Sequence, residues 1–322
     1  LALIALLACV LLTPLRLGAE PIRLAVWASD LSRKSPGLLV QDLQRETDPI
    51  RIARQLINRA APDVLLLLRF DYDAHFDALI ALNNGLDSPY PYLFAMPPNS
   101  GMPTGLDLDG DGKIGEPRDA QGYGRFPGQA GMALLSRLPP RLAELQDFTP
   151  LLWRDLPGTL LPVVNGAPFP SPHAHAVQRL SSVAHWVLPL DTPHGPITLL
   201  AADPTPPLYD GPEDRNGRRN HDEAQLWNLL LQGTFGPPPL RPILLTEAGI
   251  DPDRDAHRPM ALRALRNRLR DIGPPEPTTL WGDTPARSTL ILADQSLRSL
   301  AHGHLAEARA SRHALIWVDI EF

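Results

Sequence analysis

The chain has 322 residues, 43% of them hydrophobic, which is enough for a substantial core and excludes an intrinsically disordered protein. Its net charge is −6, and Arg outnumbers Lys 28 to 2, so it lacks the basic surplus of a dedicated nucleic-acid binder. A single cysteine, Cys9, excludes a disulfide framework.

In chain order, residues 1–19 read as a secretory signal peptide: an apolar run ends in Leu17-Gly18-Ala19, small residues suited to cleavage before Glu20. The run breaks at Pro14 and Arg16, short of the ~20 residues that span a bilayer. Leu6-Leu7-Ala8-Cys9 resembles a lipoprotein box, but apolar residues continue past the cysteine. The expectation is an exported protein, periplasmic or secreted, whose mature part, 20–322, is one cysteine-free domain without a membrane span.

Short apolar runs predict strands at Arg23–Trp27, Asp63–Leu68, Met132–Ser136, His185–Leu190, Ile197–Ala201, Ile243–Thr246, Thr289–Leu292 and Ala314–Ile320. Amphipathic spacing predicts helices at Pro49–Ala60, His221–Gln232 and Pro259–Ile272. The second carries start and stop signals: Asn220 as N-cap, Asp222 and Glu223 in the first turn, Gly233 beyond the end. Arg263, Arg266 and Arg270 share a face of the third and read as solvated. A polar, glycine-rich insertion, Pro97 to Gly131, is long enough to suggest a functional loop. His173 with His175 and His302 with His304 are close pairs, but no carboxylate at a metal-site spacing accompanies them.

The insertion contains "DLDGDGKIG". Asp107, Asp109 and Asp111 fall at positions 1, 3 and 5 of a calcium loop, Gly112 at its sharp turn, and the Lys113 carbonyl at position 7. Position 12 is Arg118, which cannot bind a cation, and Asp119 follows. The spacing predicts a structural Ca²⁺ held by Asp107, Asp109, Asp111, Lys113 and Asp119 without a conventional EF-hand.

Two longer segments, "GYGRFPGQAGMALLSR" (122–137) and "DPTPPLYDGPEDRNGRRNHDE" (203–223), resemble an exported bacterial branch of the endonuclease/exonuclease/phosphatase superfamily. The resemblance extends over the mature chain, through the FDYD turn and the Leu180-Ser181-Ser182 to His185-Trp186 stretch. It implies an α+β fold with the deoxyribonuclease I-like plan: a four-layer α/β/β/α sandwich, two packed mixed sheets flanked by helices, with the site at one end of the sheets. The family's chemistry needs a hard divalent metal, a base for water and an electrophile at the phosphate.

Set against that pattern, the strand ends of this chain depart repeatedly. Ala28 stands where the resemblance implies Asn, and Leu68-Arg69 where it implies Gln or Asn followed by a metal-binding Glu. Asp203 replaces the His before the Pro-Thr-Pro-Pro segment. The Gly-Asp-x-Asn-Ala-Asp motif reads Thr246-Glu247-Ala248-Gly249-Ile250-Asp251, Thr289 replaces an Asp, and the terminal Asp-His pair reads Arg312-His313. Glu247 and His313 are the remaining catalytic-type groups.

The resemblance then implies a non-catalytic pseudoenzyme, without catalytic Mg²⁺, whose former site takes a phosphate-containing or other anionic ligand through Arg69, Asp203 and Arg312. Within it, Arg69 is expected on the old metal position, paired with Glu247, leaving Arg312 and His313 to face an anion. Two alternatives are an active metal-dependent phosphoesterase or nuclease using Asp71, Asp203, Glu247 and Asp251, and a structural or partner-binding protein acting through its long loops.

Overall fold

The computed structural model describes residues 20–209, 211–254 and 257–322, so the expected signal peptide lies outside the described residues. Its first sheet holds β1 (Ile22–Ala28), β2 (Val64–Phe70), β3 (Tyr92–Ala95), β4 (Gly131–Ser136), β15 (Arg298–Leu305) and β16 (Leu315–Glu321), in the order β15-β16-β1-β2-β4-β3. Its second holds β5 (Gln146–Asp147), β8 (His185–Leu190), β9 (Ile197–Ala202), β10 (Pro242–Glu247), β11 (Arg270–Asp271) and β14 (Thr289–Ala293), in the order β11-β14-β10-β9-β8-β5. Two hairpins, β6 (Val163–Val164) with β7 (Ala167–Pro168) and β12 (Thr279–Trp281) with β13 (Thr284–Ala286), lie outside the sheets. The helices are α1 (Leu38–Arg45), α2 (Asp48–Ala60), α3 (Asp77–Asn84), α4 (Pro172–Val177), α5 (Arg215–Leu231) and α6 (Met260–Arg268).

The run Val64–Leu68 explains the layering. Successive side chains of a strand point to opposite faces. Val64, Leu66 and Leu68 enter the core between the sheets, with Leu24, Val26, Trp186, Leu199, Ile243 and Leu245. Leu65 and Leu67 face the other way, against Leu39, Leu43, Ile50, Ile57 and Leu79 of α1–α3. The second sheet does the same: Leu200, Leu244 and Leu292 pack on Trp227 and Leu230 of α5 and Leu262 and Leu265 of α6. Strands buried on both faces read as unbroken apolar runs. The result is the expected α/β/β/α sandwich.

β1 runs parallel to β2 and β9 parallel to β10, whereas the other pairings within the two sheets are antiparallel. The carboxyl ends of β1, β2, β9 and β10 and the chain just before β16 are therefore where strand-end side chains from both sheets can meet.

Three local expectations are corrected. α5 begins at Arg215, six residues before the predicted start at His221. Asn220 is no N-cap: its amide donates to the Thr205 and Ala248 carbonyls from inside the helix, at 2.7 and 2.8 Å. α6 stops at Arg268, because Arg270 and Asp271 pair with β14. Arg266 on that helix is engaged by Asp253 at 2.7 Å, so its face is less free than its sequence suggests. α1, α3, β3 and β15 lacked a clear signal; β15 reads RSLAHGHL and is mostly exposed.

The first turns of α5 clamp the loops. Asp222, fully buried, accepts from Trp153 Nε1 (2.7 Å), the Thr159 hydroxyl (3.1 Å) and the Leu160 amide (2.6 Å). Arg219 donates to the carbonyls of Leu180, Gln121, Arg179 and Ser181. Glu223 accepts from the Ser182 amide and hydroxyl and from the Thr205 amide. The 97–131 insertion is thus tied down: Arg219 holds Gln121, and Asn99 donates to Thr149 and Ser181, both at 2.7 Å.

Candidate functional site

The two acids after β2 act locally. Asp71 is buried, and its carboxylate accepts from Arg33 N (2.7 Å) and Ala130 N (2.9 Å), joining two loops. Asp73 accepts from the amides of Asp77 (2.7 Å) and Ala78 (3.0 Å) and so satisfies the start of α3. Asp251 accepts from the amides of Asp253 and Arg287, both at 3.1 Å. Two of the four relocated carboxylates, Asp71 and Asp251, are therefore loop pins.

Arg69 is different. The β2–β4 ladder shifts register between Leu68 and Phe70, and Arg69 at this bulge adopts φ 57°, a left-handed conformation rarely taken by a long side chain. Its Nη1 lies 2.6 Å from His313 Nε2 and 3.5 Å from Asp30 Oδ1. A guanidinium only donates, so Nε2 of His313 is the acceptor and the ring proton sits on Nδ1. That nitrogen lies 3.5 Å from Glu247 Oε2.

The rest of the cluster fixes this row. The Thr289 hydroxyl donates to Glu247 Oε2 at 2.7 Å, across the β10–β14 register pair, and the Gly249 amide reaches Oε1 at 3.3 Å. The Ser311 hydroxyl lies within 2.7 Å of Ala28 O and 2.9 Å of Asp30 Oδ2, and it accepts from the His313 amide at 3.0 Å. Trp27 Nε1 donates to the His313 carbonyl at 3.0 Å. His313 and Glu247 are buried, at 4% and 1% exposure.

The charges are unevenly balanced. Burial opposes ionisation of Arg69, but Asp203, Glu247 and Asp30 outweigh it and keep the guanidinium protonated. Burial would raise the Glu247 carboxyl, yet His313 and Arg69 prevail and hold it below the usual carboxylate range. Asp203 moves the other way: burial dominates, Arg69 only partly offsets it, and the carboxyl is pushed up to about 7. No hydrogen bond reaches the Asp203 carboxylate among the described residues.

Arg69, Asp203, Glu247 and His313 are therefore brought into one electrostatic neighbourhood, but two expected contacts are corrected. Arg69 pairs with Asp30, and the His313 ring stands between it and Glu247. Arg312 is exposed and offers only its carbonyl, to the Thr279 hydroxyl, so it does not share the site with His313. Asp30 and Ser311 are not singled out by the sequence; their signal is a polar residue two positions after β1 and four before β16.

In the insertion, ligand atoms of Asp107, Asp109 and Asp119 lie within 4.8 Å of one another. Asp111 is not with them: it is exposed, and its carboxylate meets Lys113 N (2.8 Å) and Nζ (3.0 Å). A short helical turn, Pro117–Asp119, carries Asp119 inward, where it accepts from the Leu108 and Glu116 amides, both at 2.9 Å.

A model of the endonuclease/exonuclease/phosphatase family matches residues 41–251, more than half of the chain. No curated protein matches the sequence. Among solved structures, an endonuclease/exonuclease/phosphatase from Beutenbergia cavernae superposes with a TM-score of 0.56 at 16% identity, covering 94% of this chain and 72% of that one. A mannosyl-6-phosphatase from Bacteroides thetaiotaomicron gives 0.52 at 12% identity, with 94% and 100% covered. Sphingomyelinase C from Streptomyces griseocarneus gives 0.51 at 12% identity, with 93% and 99% covered. At such identities the likenesses speak for the fold alone, and the fold agrees with the family match, the two packed sheets and the strand ends that meet at one edge of them: this chain belongs to the endonuclease/exonuclease/phosphatase family.

Proposed function

We propose that this chain is an exported, non-catalytic member of its family, a protein that holds an anionic ligand and does not turn over phosphate esters. The observation that carries the reading is the 2.6 Å contact between Arg69 Nη1 and His313 Nε2. A base must offer a lone pair to the water that it activates. The one histidine at these strand ends spends its acceptor nitrogen on a permanent cation. The divalent metal of the family also finds poor support there. Glu247 is already engaged at both oxygens, and Arg69 occupies the strand end where the family carries a carboxylate. Among the described residues, the one group of three or more acids or histidines within coordinating distance is Asp107, Asp109 and Asp119, in the insertion.

Purified protein should hydrolyse neither bis-p-nitrophenyl phosphate nor p-nitrophenyl phosphate above the buffer rate with Mg²⁺, Mn²⁺ or Ca²⁺. Metal-dependent turnover abolished by Glu247→Gln would establish the alternative, an active phosphoesterase.

Asp203 offers a check on the charge balance. Its carboxyl is raised from 3.8 to about 7, so between those values the folded protein keeps a proton that the unfolded chain releases. Its contribution to stability is complete below pH 4 and is lost as the pH rises toward 7. Asp203→Asn removes this dependence. The stability of the variant relative to the original should improve by roughly 2 to 3 kcal/mol between pH 5 and pH 8 in urea titrations. An unchanged difference at the two pH values would mean that Asp203 ionises normally.

The insertion supports a second proposal, a structural Ca²⁺ on Asp107, Asp109 and Asp119. Three carboxylates within 4.8 Å repel one another unless a cation lies between them. Backbone amides of Gly110 and Gly112 already turn toward Asp107, at 2.6 and 2.9 Å, the fold that such a loop takes around an ion. Calcium at a hundredfold excess over its Kd should stabilise the protein by about 2.7 kcal/mol, seen as a higher melting temperature. Asp109→Ala should lose that increment; an equal response in both proteins would reduce the loop to a turn.

Export rests on the apolar leader ending at Ala19. Mass spectrometry of the protein from its host should find Glu20 as the first residue, and a retained leader would refute secretion by cleavage.

A further inference from the structure

A cavity of about 400 Å³ lies between the insertion, the segment that follows β9, and the first turns of α5. None of Arg69, Asp203, Glu247 or His313 lines it. Its wall carries Arg118, Arg215 and Arg219 and, among the described residues, no carboxylate. Three guanidiniums thus converge on one hollow of a chain whose net charge is −6.

The three guanidiniums are held by different contacts. Arg219 gives its hydrogen bonds to peptide carbonyls. Burial lowers its basicity, with Glu223 nearby opposing, and leaves it at about 10, charged at neutral pH. Arg215 is anchored on the Leu108 carbonyl of the aspartate-rich loop. Arg118 is mostly exposed and reaches Asp109 only at 3.6 Å, a loose solvent pair of the kind that contributes little.

The mouth is aromatic. Tyr123 and Tyr209 both line the cavity, and they are 63% and 78% exposed, the second being among the most exposed large apolar side chains described. Gln178 lines it too, although it is 1% exposed, and its amide oxygen has no hydrogen-bond partner. A buried amide oxygen left unpaired carries a desolvation cost that a polar ligand group or a water can recover.

We propose that this cavity binds a small organic anion that carries a flat ring. The ring lies against Tyr123 and Tyr209, the anionic group faces the guanidiniums of Arg118 and Arg219, and the Gln178 amide meets a polar substituent. The volume falls in the range of roughly 300–1,000 Å³ usual for pockets that enclose small molecules, and its lining joins two tyrosines to several polar side chains. Guanidiniums favour planar or tetrahedral oxyanions, which they contact through paired N–H groups. The site names a place for the anion that the strand ends lack, and it stands whether or not the strand-end cluster is catalytic.

Phenylphosphonate tests this, because it joins a ring to an oxyanion and has no ester bond to hydrolyse. Calorimetry should show it binding at least about tenfold more tightly than inorganic phosphate or phenol, the gain expected when ring and charge are both used. Arg118→Ala and Tyr209→Ala change exposed side chains, so each should keep the original melting temperature and weaken phenylphosphonate binding about tenfold. Absence of binding at millimolar phenylphosphonate would overturn the proposal. So would binding that both variants retain in full, and so would phosphate binding as tightly as phenylphosphonate, which would leave only a charged surface.

Discussion

The structure depends first on a run of buried polar residues in the early turns of α5. Arg219, Asn220, Asp222 and Glu223 are all at most 5% exposed, in a helix whose other buried face packs on the second sheet. Buried charges are tolerated only when their hydrogen-bonding capacity is met. Here it is met mostly by loop backbone, carbonyls 121, 179, 180, 181, 205 and 248 and amides 160, 182 and 205, with the Trp153, Thr159 and Ser182 side chains completing it. One helix thereby fixes the path of three long connections. Burial also pushes Glu223 up to about 7, with Arg219 and the Ser182 donors pulling against it, so the clamp is itself held under electrostatic tension.

This separates two kinds of motif in one sequence. The NGRRNHDE segment persists because it is scaffold: removing Arg219, Asp222 or Glu223 would strand several buried partners. The strand ends carry no such obligation. Arg69, Thr289 and Gly249 can stand where the family has other groups because the sheets beneath them are held by Val64–Leu68 and their apolar partners, not by the site. What the site does require is local neutrality. Arg69 answers three acids, Asp30, Asp203 and Glu247, and the His313 ring, which accepts from Arg69, lies 3.5 Å from Glu247 on its other side.

Much of this was legible in the sequence, for physical reasons that differ by element. The central strands announced themselves because both faces are buried, which leaves an unbroken apolar run. The expectation that Arg69, Asp203, Glu247, Arg312 and His313 share one end of the sheets came from the resemblance, and Arg312 departs from it by facing solvent. The partner of Arg69 did not follow, because the bulge and the positive φ that aim its side chain leave no trace in composition. Asn220 misled for a related reason. Asn is a good N-cap when its side chain is free to fold back on the helix, and here that side chain is committed to Thr205 and Ala248. In the calcium-like loop the expected Asp107, Asp109 and Asp119 come together, the last carried inward by a helical turn, whereas Asp111 turns to Lys113.

Hydrogen-bond satisfaction and charge neutralisation are separate requirements, and α5 shows the difference. Arg219 is saturated by carbonyl dipoles, yet those dipoles carry no net charge, so the guanidinium still projects a field into whatever space adjoins it. The adjoining space is the cavity under Tyr123 and Tyr209. Arg215 ties the same helix to the aspartate-rich loop through the Leu108 carbonyl. Leu108 in turn donates its amide to Asp119, so the acidic cluster and the cationic cavity share a wall one residue thick. Ordering of that wall by a cation on the acidic side would fix the position of Arg118 and Arg215 on the other. The scaffold that keeps the family fold intact is then also what concentrates positive charge away from the strand ends.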